Sequence, residues 1–401
     1  VTCRQFPNLT FAPRKTCHEG SNLTLHSYHV TASTSIKDVF ANCKRNFSFL
    51  CKKMQKDQFS IFLPAFPAHM QLCNPLKYAI LMKIENCFIM LQAAWSQADL
   101  QERTMIMWVA NNWKDYEVID CSKGEKLERW GEYLLVRPDP QVIWDTPRTA
   151  EGWRNKNGHY HRSSKGGGEW EFFHLPQEWS IRYEDLTFRL KPFSFKHTGL
   201  FPEQAVNWDW FSSIIKDART GNLDRQIKVL NLFAYTGGAT LAAAKAGAHV
   251  THVDASKGMV TWAKENAAAS GLSEAPIRWL VDDCVKFVER ELRRGNTYDG
   301  IIMDPPSYGR GPKGEIWKIE ENIYPFITLA AKLLAKDALF FLVNSYTTGL
   351  QPAVLTYMIH TALTPKFGGQ VESSEIGLPV TGNGLILPCG ASGRWSRFAP
   401  S

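Results

Sequence analysis

Residues 301–308 read Ile-Ile-Met-Asp304-Pro305-Pro306-Ser307-Tyr308, an apolar run that ends in an acid, two prolines, a hydroxyl and an aromatic. Two consecutive prolines stop a strand ladder and remove two backbone donors. The carbonyls around Asp304 and Pro305 are thereby left without strand partners. An acceptor-rich turn beside the flat face of Tyr308 suits a planar amine such as a nucleobase. Asp304 and the Pro305 carbonyl would orient an amino or ring nitrogen, and Tyr308 would stack the base. The motif alone reads equally as a strand-ending turn with a packed tyrosine.

Three other places carry groups of comparable interest. Asn231-Leu-Phe233-Ala234-Tyr235-Thr236-Gly237-Gly238 puts small residues between a strand and a helix, where a ligand can approach the backbone closely. It is not the G-x-G-x-x-G fingerprint, which disfavours a nicotinamide dehydrogenase. Asp254 closes the next strand, and a lone acid there is suited to both hydroxyls of a ribose. Asp283, or its neighbour Asp282, is placed to accept from an adenine amino group. Singly, each acid is equally a helix N-cap. Together, at consecutive strand ends and followed by Asp304-Pro-Pro, they make coincidence a poor explanation.

These residues need a scaffold, and the chain after Pro202 supplies an alternating one. Gln204–Ala218 is an amphipathic helix with Trp208, Phe211, Ile214 and Ile215 inward. Strands follow at Lys228–Ala234, Ala248–Val253, Ile277–Val281, Tyr298–Met303 and Ala338–Val343. Helices lie between them at Ala239–Ala246, Lys257–Ser270, Cys284–Arg293 and Ile319–Leu334. Strict alternation predicts a parallel, doubly wound α/β sheet with ligands at its carboxyl end.

From about residue 114 to 196 the pattern is β. Tyr116–Asp120, Tyr133–Arg137, Trp170–Phe173, Ser180–Tyr183 and Leu186–Leu190 are strand-like, with Gly124 and Gly131 in the turn region between the first two. His159–Lys165 is expected as a flexible polar loop, its two histidines solvated rather than ligands. Residues 1–107 lack periodicity and turn punctuation. The expectation is an extension in front of the true start, with Met105 or Met107 a natural beginning, in competition with an extra domain or a disordered segment.

The chain of 401 residues is long enough for two domains, and its net charge of +7 permits an anionic partner without demanding one. The best apolar stretch, Tyr78–Trp95, is broken by Lys83, Glu85 and Asn86, so no membrane span is expected. The start lacks the basic-then-apolar order of a signal peptide. Three sequons (Asn8-Leu-Thr, Asn22-Leu-Thr, Asn46-Phe-Ser) are of a kind that arises often by chance. No C-x-x-C pair is present, so no metal site is expected, and the later part of the chain reads as a reduced, cytoplasmic protein.

On these motifs, residues 186–395 resemble class I S-adenosylmethionine-dependent methyltransferases, and among them the bacterial 23S rRNA large-subunit group. The matching stretches are Thr198-Gly-Leu-Phe-Pro-Glu-Gln204, Asn231–Gly238, Val253-Asp-Ala-Ser-Lys257, Asn266, Asp282-Asp283 and Asp304-Pro-Pro-Ser-Tyr308. The resemblance implies a seven-stranded Rossmann-like methyltransferase sheet over 198–401, in the order 3-2-1-4-5-7-6 with the last strand antiparallel. A small β-rich domain (108–197) precedes it. Gly384–Pro388 would be a late strand and Cys389–Trp395 a polar ending near it. The resemblance further implies S-adenosyl-L-methionine as cofactor, cradled by Phe233–Gly238, with Asp254 on the ribose, Asp283 on the adenine and Gln204 over the site.

Members of the family that methylate carbon 5 of cytosine use a cysteine in the proline turn or on the following strand. Here those places read Pro-Pro-Ser-Tyr and Val343-Asn-Ser-Tyr346. Cys284 and Cys389 are expected to be packing residues. The favoured reaction is therefore methylation of RNA, ribosomal by the resemblance, at a base nitrogen. Arg137, Arg148, Arg154, Lys156, Arg162 and Lys165, interleaved with Trp144, Trp153 and Tyr160, suit RNA contact, or form a solvated loop beside the cleft. The alternatives are a methyltransferase acting on a small molecule or protein side chain, and a non-catalytic RNA-binding module on the same fold.

Overall fold

The computed structural model describes residues 107–163, 167–193, 196–220, 225–310, 316–347 and 349–398. The expectations about an extension and its start therefore lie outside the described residues, apart from Met107, and so does Lys165.

The strands, in chain order, begin with β1 (Trp108–Val109), β2 (Tyr116–Ser122), β3 (Glu125–Trp130), β4 (Tyr133–Pro138), β5 (Gly158–Arg162) and β6 (Gly168–Phe172). A hairpin of β7 (Trp179–Tyr183) and β8 (Leu186–Leu190) follows. Then come helix α1 (Ala205–Thr220), β9 (Lys228–Leu232), α2 (Gly238–Lys245), β10 (His249–Asp254), α3 (Lys257–Ala269), β11 (Ile277–Val281) and α4 (Cys284–Arg294). The remainder is β12 (Gly300–Met303), β13 (Tyr308–Arg310), β14 (Ile316–Lys318), α5 (Ile319–Ala331), β15 (Phe340–Ser345), α6 (Pro352–Phe367), β16 (Gln370–Pro379) and β17 (Ile386–Ser396).

The main sheet runs β1-β16-β17-β15-β12-β9-β10-β11. Its seven long strands have the expected order. The count is corrected to eight by the two-residue β1, which pairs parallel with β16 at the edge. Strands β9, β12 and β15 are built mainly of Val, Leu, Ile and Phe, β10 sets Val250 and Val253 beside buried Thr251 and His252, and all four are buried on both faces, as parallel strands under helices must be. One core lies under α1, α2 and α3, built from Trp208, Phe211, Ile215, Leu241, Val229 and Phe340 among others. A second lies under α4, α5 and α6, with Phe287, Phe326, Ile327, Phe341, Ile359 and Trp395. The expected late strand and polar ending prove to be one strand, β17, paired antiparallel with both β15 and β16.

Residues 116–172 form a five-stranded sheet, β2-β3-β4-β5-β6. The single turn expected around Gly124 and Gly131 is two turns, with both glycines at positive φ (78° and 67°), and β3 lies between them. The sequence Glu-Lys-Leu-Glu-Arg-Trp hides this strand because its charges are consumed internally. Glu128 is fully buried and accepts from Arg137 through Nε (2.6 Å) and Nη2 (2.8 Å), and from the Tyr116 hydroxyl (2.7 Å). Lys126 joins it at 3.4 Å and reaches Asp139 at 3.3 Å. His159–Arg162 belongs to β5 rather than to a loop. Val118, Trp130 and Leu135 of this sheet share one apolar core with the main sheet.

Several residues expected at an RNA surface are therefore structural. Arg137 is buried on Glu128. Arg148 bonds Ser122 O and Glu125 and lies over Trp153, at 4.1 Å from the ring centre. Trp153 and Tyr160 are themselves buried. Removing one partner of a buried pair strands the other charge. Arg137→Ala is expected to lose about 3–5 kcal/mol of stability in chemical denaturation; a wild-type midpoint would show that the pair is dispensable.

Candidate functional site

Strand β9 has β10 on one side and β12 on the other, so the chain leaves it in opposite directions. A cleft of about 430 Å³ opens at the carboxyl ends of these strands, where open α/β sheets place their ligands. Its wall contains Phe233, Tyr235, Asp254, Asp283, Asp304 and Pro305, and among the described residues no lysine or arginine. A hollow of about 490 Å³ lies at the opposite, amino ends, but its buried acid, Glu291, is already held by Tyr298, Asn296 and Arg294. The chemistry lies at the carboxyl end.

The loop after β9 is tightly wound. Phe233 (φ 56°) and Tyr235 (φ 50°) both occupy the left-handed region, which costs a non-glycine residue energy and concentrates at ligand sites. Two contacts hold the turn: Phe233 N donates to Cys284 Sγ (3.3 Å), and Tyr235 N donates to Asp254 Oδ2 (2.9 Å). Asp254 Oδ1 accepts from Ser256 N (2.8 Å). Burial holds the Asp254 carboxyl above the usual range, against these two bonds. Asp283 caps α4, its Oδ1 accepting from Lys286 N at 2.9 Å. The capping role leaves its other oxygen free of any hydrogen bond among the described residues. The Tyr235 hydroxyl is buried and has no partner, an unmet donor in the cleft wall.

Asp304 follows β12, and its N–H donates weakly to Leu232 O (3.4 Å). Among the described residues no donor reaches its carboxylate. Burial, reinforced by the nearby Glu203 carboxyl, pushes its pKa up to about 7. Glu203 is itself buried and raised by desolvation. Tyr346, just past β15, closes the same wall; its hydroxyl accepts from Gln204 Nε2 at 2.7 Å.

Not every expected residue reaches the cleft. Gln204 stands behind Tyr346. Asn231 is buried within β9 and donates to Thr240 Oγ1 (2.8 Å). Ala234 N bonds Val253 O, and Thr236 Oγ1 bonds Gly199 O. Asp282 pairs with Arg290. Pro306 lines the cleft, but its carbonyl accepts from Trp317 Nε1 (2.7 Å). Tyr308 opens the exposed β13–β14 hairpin, 52% accessible, and is not part of the wall. The aromatic faces there are Phe201, Phe233, Tyr235, Trp317 and Tyr346.

The two glycines serve a different purpose from the expected one. A Cβ at Gly238 would lie 2.6 Å from Trp208 Cζ2, and one at Gly237 (φ 90°) would meet Ala263 at 3.0 Å. They let helices pack behind the loop and do not clear space for a ligand in front. Residues missed by sequence, Phe201, Glu203 and Tyr346, carried a usable signal. The first two stand in the Thr198–Gln204 stretch, and Tyr346 immediately follows a strand, as Asp304 does.

Cys284 touches the wall, but its thiol accepts from Phe233 N and burial pushes its pKa far up. Cys389 is likewise raised by burial. Neither has the character of a nucleophile. His159 Nε2 is bonded to Glu125 (2.7 Å) and His161 Nε2 to Glu171 (2.8 Å) on the five-stranded sheet. With Glu171, these histidines bring ligand-type atoms within 4.8 Å of one another. No helix among the described residues is long and apolar enough to cross a membrane. Gly238→Ala is expected to cost about 1–3 kcal/mol through overpacking on Trp208; an unchanged melting temperature would disprove that account of the glycine.

The sequence model described as S-adenosylmethionine-dependent methyltransferase matches residues 124–322. The crystal structure of a SAM-dependent methyltransferase from Agrobacterium tumefaciens is 35% identical, with a TM-score of 0.69, and the match covers 74% of this chain and 94% of that one. Ribosomal RNA large subunit methyltransferase K/L of Pseudoalteromonas atlantica is 32% identical over 173 residues, 42% of this chain and 23% of that protein. Ribosomal RNA large subunit methyltransferase K of Neisseria meningitidis is 33% identical over 120 residues, 29% of this chain and 34% of that protein. The chain thus spans about a quarter to a third of the length of these two curated relatives. Sheet order, strand-end acids and a match over nearly the whole of a solved relative agree: the chain belongs to the S-adenosylmethionine-dependent methyltransferases.

Proposed function

We propose that this protein transfers a methyl group from S-adenosylmethionine to a nitrogen of an RNA base, and that the RNA is that of the large ribosomal subunit. The observation that carries this reading is Asp304: a half-buried carboxylate without a hydrogen-bond donor, at a strand end, in a cleft walled by aromatic rings and lacking a reactive thiol. The residues fit the cofactor. A wall of three acids and, among the described residues, no lysine or arginine suits a positively charged sulfonium, Asp254 and Asp283 retain acceptor capacity for ribose and adenine, and the Tyr235 hydroxyl awaits a partner. When bound, S-adenosylmethionine supplies a methyl already activated by positive sulfur, so the chain need form no covalent bond.

What remains for the protein is alignment and proton management. Asp304, ionised, accepts a hydrogen bond from an amino or ring N–H, orients its lone pair, and takes the proton as the nitrogen gains its methyl. A carboxylate titrating near 7 does this at physiological pH, whereas an ordinary one is too weak a base. Tyr346, held by Gln204, and Phe201 offer faces for the extruded base, the place first expected of Tyr308. The large-subunit RNA target is supported by the names of the partial-length relatives. The nitrogen target is supported by the state of Cys284 and Cys389.

Because the ionised form of Asp304 is the active one, kcat/KM is expected to fall as pH drops through about 7. Asp304→Asn should erase that limb and lose about 100-fold or more in rate with cofactor affinity retained. The stability sign is the reverse. The folded chain holds this proton more tightly than the unfolded one, so Asp304 weakens the fold increasingly as pH rises from the ordinary carboxyl range towards 7. Asp304→Asn should therefore melt higher than wild type at pH 8. Full activity in this variant would remove the central assignment. Comparing large-subunit RNA with and without the protein by mass spectrometry tests the substrate, and a 5-methylcytosine product would overturn the nitrogen reading.

A further inference from the structure

A separate hollow of about 400 Å³ adjoins the cleft on the side of the five-stranded sheet, and His197 lines both. Its wall includes Tyr160, Arg162, Lys196 and His197 and, among the described residues, no carboxylate. Arg162, exposed on β5, makes no ion pair with any described residue. Lys196 Nζ has one bond, to Pro138 O at 3.0 Å. Tyr160 is 3% accessible, yet its hydroxyl has no hydrogen-bond partner. A phenol left so costs free energy unless something supplies an acceptor. Two cations, an unpaired hydroxyl and no acid form a donor set seeking an anion with several oxygens. The contrast with the cleft next door, three acids and no lysine or arginine among the described residues, separates the two ligands by charge.

We propose that this hollow holds a backbone phosphate of the nucleic-acid substrate, next to the nucleotide presented to Asp304. The assignment rests on the RNA reading above and adds to it the place and polarity of the substrate contact. Lys196 fits the role further: burial, with the nearby Lys126 and Arg137, depresses its pKa to about 8 against the opposing pull of Asp139 and Glu128, and a bound anion would favour its charged form. His197, depressed to about 4 by the same surroundings, stays neutral and can donate one N–H without adding charge.

The test uses the full chain with an unmodified large-subunit ribosomal RNA transcript, measuring the KM for RNA at several salt concentrations, the cofactor Kd and the melting temperature. Tyr160→Phe removes a hydroxyl that nothing in the fold uses. It should leave or raise the melting temperature while raising the KM for RNA about tenfold, the size of a hydrogen bond to a charged group. Arg162→Glu, on the surface, should raise it further and lower the salt slope by about one. Cofactor Kd should not move in either. If wild type methylates the transcript and both variants match it, the phosphate site is wrong and the RNA reading stands. If wild type neither binds nor methylates RNA, both fall together. Stabilisation of wild type by inorganic phosphate that Arg162→Glu abolishes, with an unchanged KM for RNA, assigns the hollow to a free anion and overturns the proposal.

Discussion

Everything at the cleft depends on the divergence of the chain at β9, whose neighbours β10 and β12 lie on opposite sides. The loops after these strands cannot cover the same space, so the sheet opens there. Once it opens, the ends of β9, β10 and β12 point into one volume, and Tyr235, Asp254 and Asp304 meet although far apart in sequence. The same opening is narrow enough to strip water from the carboxylates. The shifts at Asp254 and Asp304 follow mainly from that desolvation, opposed at Asp254 by two backbone hydrogen bonds and reinforced at Asp304 by the Glu203 charge.

Holding the opening steady falls to a buried polar cluster. Asn207 Nδ2 donates to Gln204 Oε1 (2.9 Å) and Ser392 Oγ (2.9 Å), and its Oδ1 accepts from Arg394 Nε (2.9 Å) and Nη2 (2.7 Å). Asn344 Nδ2 donates to Gln204 Oε1 at 2.9 Å. Through these amides α1, β15, β17 and the segment before α1 share one fixed geometry. Gln204 then passes it to the Tyr346 hydroxyl. Arg394 lies 3.7 Å from the ring centre of Trp108, which ties β1 to the same set. A satisfied network of this kind specifies position more than it adds stability.

The parts of this fold that were legible in sequence are those where one physical rule acts alone. Parallel strands buried on both faces are rich in apolar residues, so β9, β10, β12 and β15 are evident, and Asp254, Asp283 and Asp304 mark the ends of β10, β11 and β12. Legibility fails where tertiary partners change the meaning of a residue. Glu125–Trp130 looks like a charged turn because its own six residues do not reveal that Arg137, on the next strand, neutralises Glu128. Cys389–Trp395 carries little β-propensity and becomes a strand because β15 and β16 flank it. Gly238 resembles a ligand-clearing glycine, and only the position of Trp208 shows otherwise. Arg137 has the residue type of an RNA contact, but its guanidinium is buried on Glu128.

The placement of β17 has a kinetic consequence. It is the last of the described strands in chain order, yet it lies inside the sheet, between β15 and β16. Until it arrives, β16 and β1 have no connection to the rest of the sheet, and β15 presents an unpaired edge that is apolar from Phe340 to Val343. Such an edge, in a partly folded chain, recruits other chains. Closing the sheet therefore joins elements of large sequence separation in a single late event, which makes for slow folding. A chain in which β17 has not yet paired therefore exposes the edges of both β15 and β16, and stays aggregation-prone until β17 takes its place between them.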